Sequence, residues 1–189
     1  MTAKYDQTST SRSAQPARIP QEHQELWRQR SDFQFDEPDV PHPFSRRLAK
    51  RMNWKYPFTL QVIDEYRKFL YLLKTAGHMV TPSQSVDEVW HLHLNYTVSY
   101  WEHLCVGIFK EPMHHHPGNG SNADLEKFAA IYQRTLEDYT AVFGEPPANI
   151  WGRPNPLINW RKVLIHLPLG KRTRSKLLDL FPHPADEAD

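Results

Sequence analysis

The sequence predicts an all-α fold, a compact helical bundle around a central apolar helix at about residues 86–106. Three segments carry apolar residues at helical spacing, and no convincing strand pair or internal repeat is present. The segment SVDEVWHLHLNYTVSYWEHLCV, residues 85–106, is apolar over most of a helix circumference. A helix of this kind belongs in the middle of a bundle, because only a narrow strip of it suits contact with water.

The chain divides into three parts on composition and periodicity. Residues 1–40 are rich in Ser, Gln, Pro and charge, which predicts a disordered or weakly ordered tail with one short helix at QEHQELWRQR. A helical domain is predicted at 44–152, with a short basic helix after Phe44, an amphipathic helix at 59–76 and another between Ser121 and Gly144. Residues 153–189 form a basic amphipathic C-terminal segment that could dock on the domain.

Composition narrows the functional classes. The formal net charge of the 189 residues is +1, which argues against a bulk polyanion partner and makes nucleic acid an unfavoured ligand. A single cysteine excludes a disulfide framework. No apolar run approaches the roughly 18 residues of a membrane span, and no apolar signal-peptide core is present, so we expect a cytoplasmic protein.

The central helix carries the first candidate site residues. Ser85 and Glu88 match a capping box, and Glu88 falls on the strip that faces water. Asp87 and His91 are four positions apart and can meet on one flank, where the carboxylate would fix the imidazole tautomer as an orienting residue or act as a catalytic base. The alternative is that Asp87 only complements the helix dipole and His91 is a polar residue at the core boundary.

His93 is rotated by about 200° from His91 and points into the predicted core. The two histidines cannot bind the same small ion on a regular helix, so they define two separate candidate sites. The alternative for His93 is a core residue that is hydrogen-bonded to Thr97 or Tyr100.

The HHHP run could complete either site. His91 lies about 22 Å from the helix end, and residues 107–115 reach about 26 Å when extended, so His114 and His115 can fold back to His91 or His93. Imidazole-rich ligation suits zinc, iron, copper or nickel, with zinc or iron favoured here. The alternative is an exposed histidine turn with no ligand. Cys105 lies about 21 Å from His91 along the helix and is left out of the site.

The span from about 44 to 151 resembles the bacterial branch of the glycine-rich domain-containing protein-like family. The resemblance is carried by an Asp-x-x-Trp-His-x-His pattern, a Tyr-Trp pair and a Leu/Met-His-His-x-Pro pattern, matched here by Asp87, Trp90, His91, His93, Tyr100, Trp101, Met113, His114, His115 and Pro117. It implies a helical protein in which these residues form one shared pattern, and it implies no activity. With 7 glycines the chain lacks a glycine-rich extension, so RNA-binding or signalling roles are not carried over.

Two hypotheses from different functional classes follow. The first is a small metal-binding helical domain, which could be a metal-dependent enzyme of unknown substrate. Its ligands would be His91 or His93 with His114 or His115, and Asp87 would be the orienting residue or base. The second is a non-catalytic adaptor whose basic tail at 157–178 binds a protein partner or an anionic membrane surface.

Overall fold

The structure, a computed structural model, describes residues 18–115 and 121–152. Helices make up its regular secondary structure. Within these ranges no strand is present, which confirms the predicted all-α class. A 3₁₀ turn at Gln21–His23 precedes six α-helices and one π-helix: α1 Gln24–Ser31, α2 Phe44–Met52, α3 Tyr56–Thr75, α4 Gln84–His93, the π-helix Val98–Phe109, α5 Asn122–Phe143 and α6 Ala148–Trp151. None of the helices in the described ranges is long and apolar enough to cross a membrane.

The helix α3 packs against α1, α2, α4 and α5. Its start at Tyr56 suits the sequence because Pro57 occupies the first turn, where a missing backbone N–H costs nothing. Val62, Tyr66, Phe69 and Leu70 are fully buried along its length. The amphipathic helix expected at 59–76 is therefore present, and α4 packs against it.

The helix predicted at 86–106 is divided into α4 and the π-helix. After His93 the backbone tightens, because Asn95 N donates to Leu92 O at 3.1 Å and Tyr96 N to His93 O at 2.8 Å. The helix is therefore interrupted at residues 94–96, and the 100° spacing assumed for the whole segment does not apply beyond that turn.

The start of α4 also differs from the prediction. The helix begins at Gln84, and its N-cap is Ser83, whose Oγ accepts from Val86 N at 3.3 Å. Ser85 is a buried helical residue, and Glu88, which was expected to face water, is only 8% exposed. The Ser83 hydroxyl satisfies an otherwise unpaired amide of the first turn, which is the role predicted for Ser85.

Packed structure begins well before residue 44. The helix α1 contacts α3 and the π-helix. Phe33 and Phe35 are buried in the core, and Asp36 accepts from both Ser45 N (2.7 Å) and Ser45 Oγ (2.6 Å) at the start of α2. The few aromatic residues of this polar segment pack against the bundle, so packed structure extends N-terminal of residue 44, where the helical domain was predicted to begin. The expectations for residues 1–17 and for the basic segment 153–189 lie outside the described residues.

The buried carboxylate of Glu65 links α3 to α5 and α6. Glu65 on α3 accepts from Tyr139 Oη on α5 and from Trp151 Nε1 on α6, each at 2.7 Å. Lys68 Nζ lies 2.7 Å from the second carboxylate oxygen of Glu65. Since buried polar groups need partners, this network fixes α5 and α6 against α3.

Candidate metal centre

Asp87, His91 and His115 form a cluster of three potential ligands at the surface of α4. Each offers one ligand atom, and these atoms all lie within 4.8 Å of one another. Asp87 Oδ1 lies 2.9 Å from His115 Nε2, and Asp87 Oδ2 lies 3.6 Å from His91 Nδ1. The two imidazole rings are 4.6 Å apart between centroids. The carboxylate therefore contacts both imidazoles.

The i, i+4 spacing on α4 places Asp87 and His91 on one flank, as the sequence predicted. His115 reaches them from the segment that follows the π-helix, since the chain turns back along α4 after Phe109. Two of the three side chains are thus supplied by a regular helix, and the third by a segment whose course depends on tertiary contacts.

Those tertiary contacts centre on Tyr100, which lies on the π-helix. Trp90 Nε1 donates to Tyr100 Oη at 3.0 Å, and Tyr100 Oη donates to the carbonyl oxygen of Met113 at 2.5 Å. The Trp90 ring meets the His115 ring edge to face, with centroids 4.6 Å apart. The hydrogen bonds fix the backbone two residues before His115, and the Trp90 ring packs against the His115 ring. The Asp-x-x-Trp spacing was noted in the sequence, but this positioning role of Trp90 and Tyr100 was not predicted.

The separations suit one ion after small adjustments. Metal–ligand distances of about 2.0–2.2 Å imply ligand atoms about 2.8–3.6 Å apart in octahedral or tetrahedral geometry. The 2.9 Å and 3.6 Å contacts, which involve the two different oxygens of Asp87, lie within that range. The Asp87, His91 and His115 side chains are 29%, 31% and 15% exposed, so the cluster is open to solvent on one side. An ion could enter without unfolding the helix.

His93 lies apart from this cluster in the hydrophobic core and is fully buried. Its Nδ1 is 3.2 Å from Tyr66 Oη and its Nε2 is 3.1 Å from Ser99 Oγ, so both ring nitrogens have partners. Burial lowers the pKa of His93 to about 3, which keeps the ring neutral at physiological pH. This environment matches the core alternative, although the hydrogen-bond partners are Tyr66 and Ser99 rather than Thr97 or Tyr100.

His114 is exposed and also lies outside the cluster. Its ring is 5.9 Å from the ring of Trp101, between centroids, on the outer side of the π-helix. Cys105 is buried beneath this segment, and burial raises the pKa of its thiol. The described geometry thus brings together Asp87, His91 and His115, and it separates them from His93 and His114.

Comparison with known proteins identifies a family. A model of the UCP032817-like family matches residues 35–134, more than half of the chain, and this span includes the whole cluster. No curated protein and no solved structure matches the chain significantly. The resemblance to the glycine-rich domain-containing protein-like family is therefore wrong as a family assignment, because the residues that suggested it fall within the span matched by a different family.

Proposed function

The chain belongs to the UCP032817-like family, and we propose that it binds a divalent transition-metal ion through Asp87, His91 and His115. The observation that carries this proposal is the convergence of one carboxylate and two imidazoles within 4.8 Å. Two of the residues come from α4, and the third comes from a segment 28 positions from Asp87 in sequence. The family match implies no activity, and the proposal rests on the geometry of the site.

The donor set favours zinc or iron. Two imidazoles with one carboxylate is a ligand set that proteins use for catalytic zinc and for non-haem iron, whereas calcium and magnesium prefer oxygen ligands alone. Asp87, which the sequence suggested as a base or orienting residue, is proposed here as the third ligand. Its contacts with both imidazoles support this role.

Three protein ligands on a partly exposed surface suit a reactive site better than a structural one. Structural zinc sites are closed by four protein ligands, while catalytic sites keep a position for water or substrate. An ion held here could polarise a carbonyl or carboxylate oxygen or activate water, and we propose a metal-dependent enzyme that acts on a small oxygen-containing molecule. The adaptor alternative depends on residues 157–178, which lie outside the described ranges, and nothing in the cluster favours it.

Metal analysis of the untagged protein tests the proposal. We expect a near-stoichiometric transition metal by inductively coupled plasma mass spectrometry, and its loss in His91→Ala and in His115→Ala. His103→Ala is the matched control, because His103 is an exposed histidine on the neighbouring π-helix. Circular dichroism would establish that each variant keeps its helical content.

The neighbouring histidine makes the test specific. His114→Ala should retain the metal, because His114 contacts Trp101 rather than the cluster. A wild-type protein that binds no zinc or ferrous iron on reconstitution would refute the proposal, as would unchanged metal content in both His91→Ala and His115→Ala.

A further inference from the structure

A second concave site lies beside the end of α4, formed by the segment before α2 and the turn after His93. The cavity has a volume of about 490 Å³, which is within the range of small-molecule sites in proteins. It shares no residue with the metal cluster. Its lining combines an aromatic floor with charged groups at the rim.

The floor includes aromatic side chains of the hydrophobic core. Phe35 and Phe44 are 7% and 2% exposed, and their centroids are 5.3 Å apart. Tyr96 meets Phe44 edge to face at 5.2 Å. Because these rings are held by packing, this part of the lining is preformed. The more exposed lining side chains beside it, Val40, Pro43 and Tyr96, would accept a flat or branched apolar group.

The rim carries one negative and one positive side chain, Glu37 and Arg47. Arg47 Nε donates to the carbonyl oxygen of His42 at 2.8 Å, which orients the guanidinium and leaves its terminal amino groups available. Among the residues that the structure describes, no ion-pair partner contacts Glu37 or those amino groups. The rim therefore offers two opposite charges that are not neutralised by each other.

The phenol of Tyr96 lies near charges of both signs. Burial raises the pKa of Tyr96, the positive charge of Arg47 opposes that rise, and the negative charges of Asp36 and Glu37 add to it. Asn95 also lines the cavity, and its Nδ2 donates to the carbonyl oxygen of His91 at 2.7 Å. The Oδ1 of the same amide is a further hydrogen-bond acceptor of the lining.

We propose that this cavity binds a small zwitterion with an apolar side group, such as an aromatic or branched amino acid. The carboxylate would accept from Arg47, and the ammonium group would donate to Glu37 and Asn95 Oδ1. The apolar side group would lie against Val40, Pro43 and Tyr96. Charge complementarity selects this ligand class, because a simple anion would leave Glu37 facing it and a simple cation would face Arg47. This inference is independent of the metal proposal.

Titration with L-phenylalanine followed by ¹H–¹⁵N NMR tests the inference on the full chain. We expect saturable shifts at the amides of residues 35–47 and 92–96. Two analogues test the charges separately: 3-phenylpropionate lacks the ammonium group, and phenethylamine lacks the carboxylate. Each should bind about tenfold or more weakly than the amino acid, as for loss of one charge-assisted hydrogen bond.

Variants assign each charge. Arg47→Gln and Glu37→Gln should each weaken L-phenylalanine binding about tenfold, and both residues are exposed, so the fold should be retained. Arg51→Gln is the matched control, because Arg51 is an exposed arginine on the same helix outside the cavity. The inference is overturned if the wild-type protein shows no saturable binding, if both analogues bind as tightly as the amino acid, or if both variants bind like the wild type.

Discussion

His93 should make the free energy of unfolding fall as the pH drops below about 6.5. The ring is fully buried, and burial lowers its pKa from the ordinary 6.5 to about 3. Between these two values the unfolded chain binds a proton that the folded protein does not. The folded state therefore loses stability relative to the unfolded state as the pH falls through this window, and the full stability is present above it.

The size of the effect follows from the two pKa values. The contribution of His93 approaches about 1.4 kcal/mol per pH unit inside the window, which amounts to about 2 kcal/mol between pH 7 and pH 5. A domain of ordinary stability has about 5–15 kcal/mol in total, so the change is readily measured.

Urea unfolding at a series of pH values, with a chelator present, measures this contribution. The His93→Gln variant should be less stable than the wild type at pH 7, because one polar contact to Tyr66 or Ser99 is lost. Its stability should nevertheless fall by about 2 kcal/mol less between pH 7 and pH 5. Titration of the wild-type His93 ring by NMR gives the same information without a variant. A His93 pKa near 6.5, or identical pH dependence in the two proteins, would refute the reasoning.

Two further predictions concern buried charges. Arg30 is fully buried between the rings of Tyr71 and Phe109. None of its guanidinium nitrogens has a hydrogen-bond partner among the described residues, and burial lowers the pKa of Arg30 to about 9. We expect Arg30→Met to raise the free energy of unfolding by about 1–4 kcal/mol, since a flexible apolar side chain avoids the desolvation of the charge; a loss of stability in urea unfolding would contradict this. Glu65→Leu should cost about 3–5 kcal/mol and Glu65→Gln clearly less, because leucine leaves the buried donors of Tyr139 and Trp151 unpaired. Equal unfolding midpoints for the two Glu65 variants would show that the hydrogen bonds contribute little.

Local sequence signals predicted the long helices well, because those signals act within a few residues. The helix α5 begins after Ser121, whose Oγ accepts from Asp124 N at 3.2 Å, and it ends at Gly144, as expected. The break after His93 was not predictable in the same way. Just before the break, His93 Nδ1 contacts Tyr66 Oη on α3, 27 positions away in sequence, and a contact of that kind is not visible in helix periodicity.

The candidate site was predictable in part for the same reason. The pairing of Asp87 with His91 follows from helix periodicity alone. The choice between His114 and His115 depends on the direction in which the chain returns after the π-helix. The chain is long enough for either residue to reach Asp87 and His91. Tertiary contacts, namely the hydrogen bond to the Met113 carbonyl oxygen and the packing of the His115 ring on Trp90, favour His115.

Removing that hydrogen bond should shift His115 without replacing any of the three proposed ligand residues. Tyr100→Phe removes both the bond from Trp90 Nε1 and the bond to the Met113 carbonyl oxygen. One buried donor and one buried acceptor are left unpaired, at a cost of about 1–3 kcal/mol each. The backbone before His115 also loses its anchor.

If the bridge through Tyr100 positions His115, Tyr100→Phe should weaken zinc binding by about 10- to 100-fold, the range typical for residues that orient a ligand. Competition with a chromophoric chelator measures this change. Tyr132→Phe is the matched control, because Tyr132 is equally buried and its hydroxyl donates to the Trp151 carbonyl oxygen away from the cluster. Both variants should lose stability, but only Tyr100→Phe should lose metal affinity. Equal zinc affinity in the two variants would mean that packing against Trp90 alone holds His115 in place.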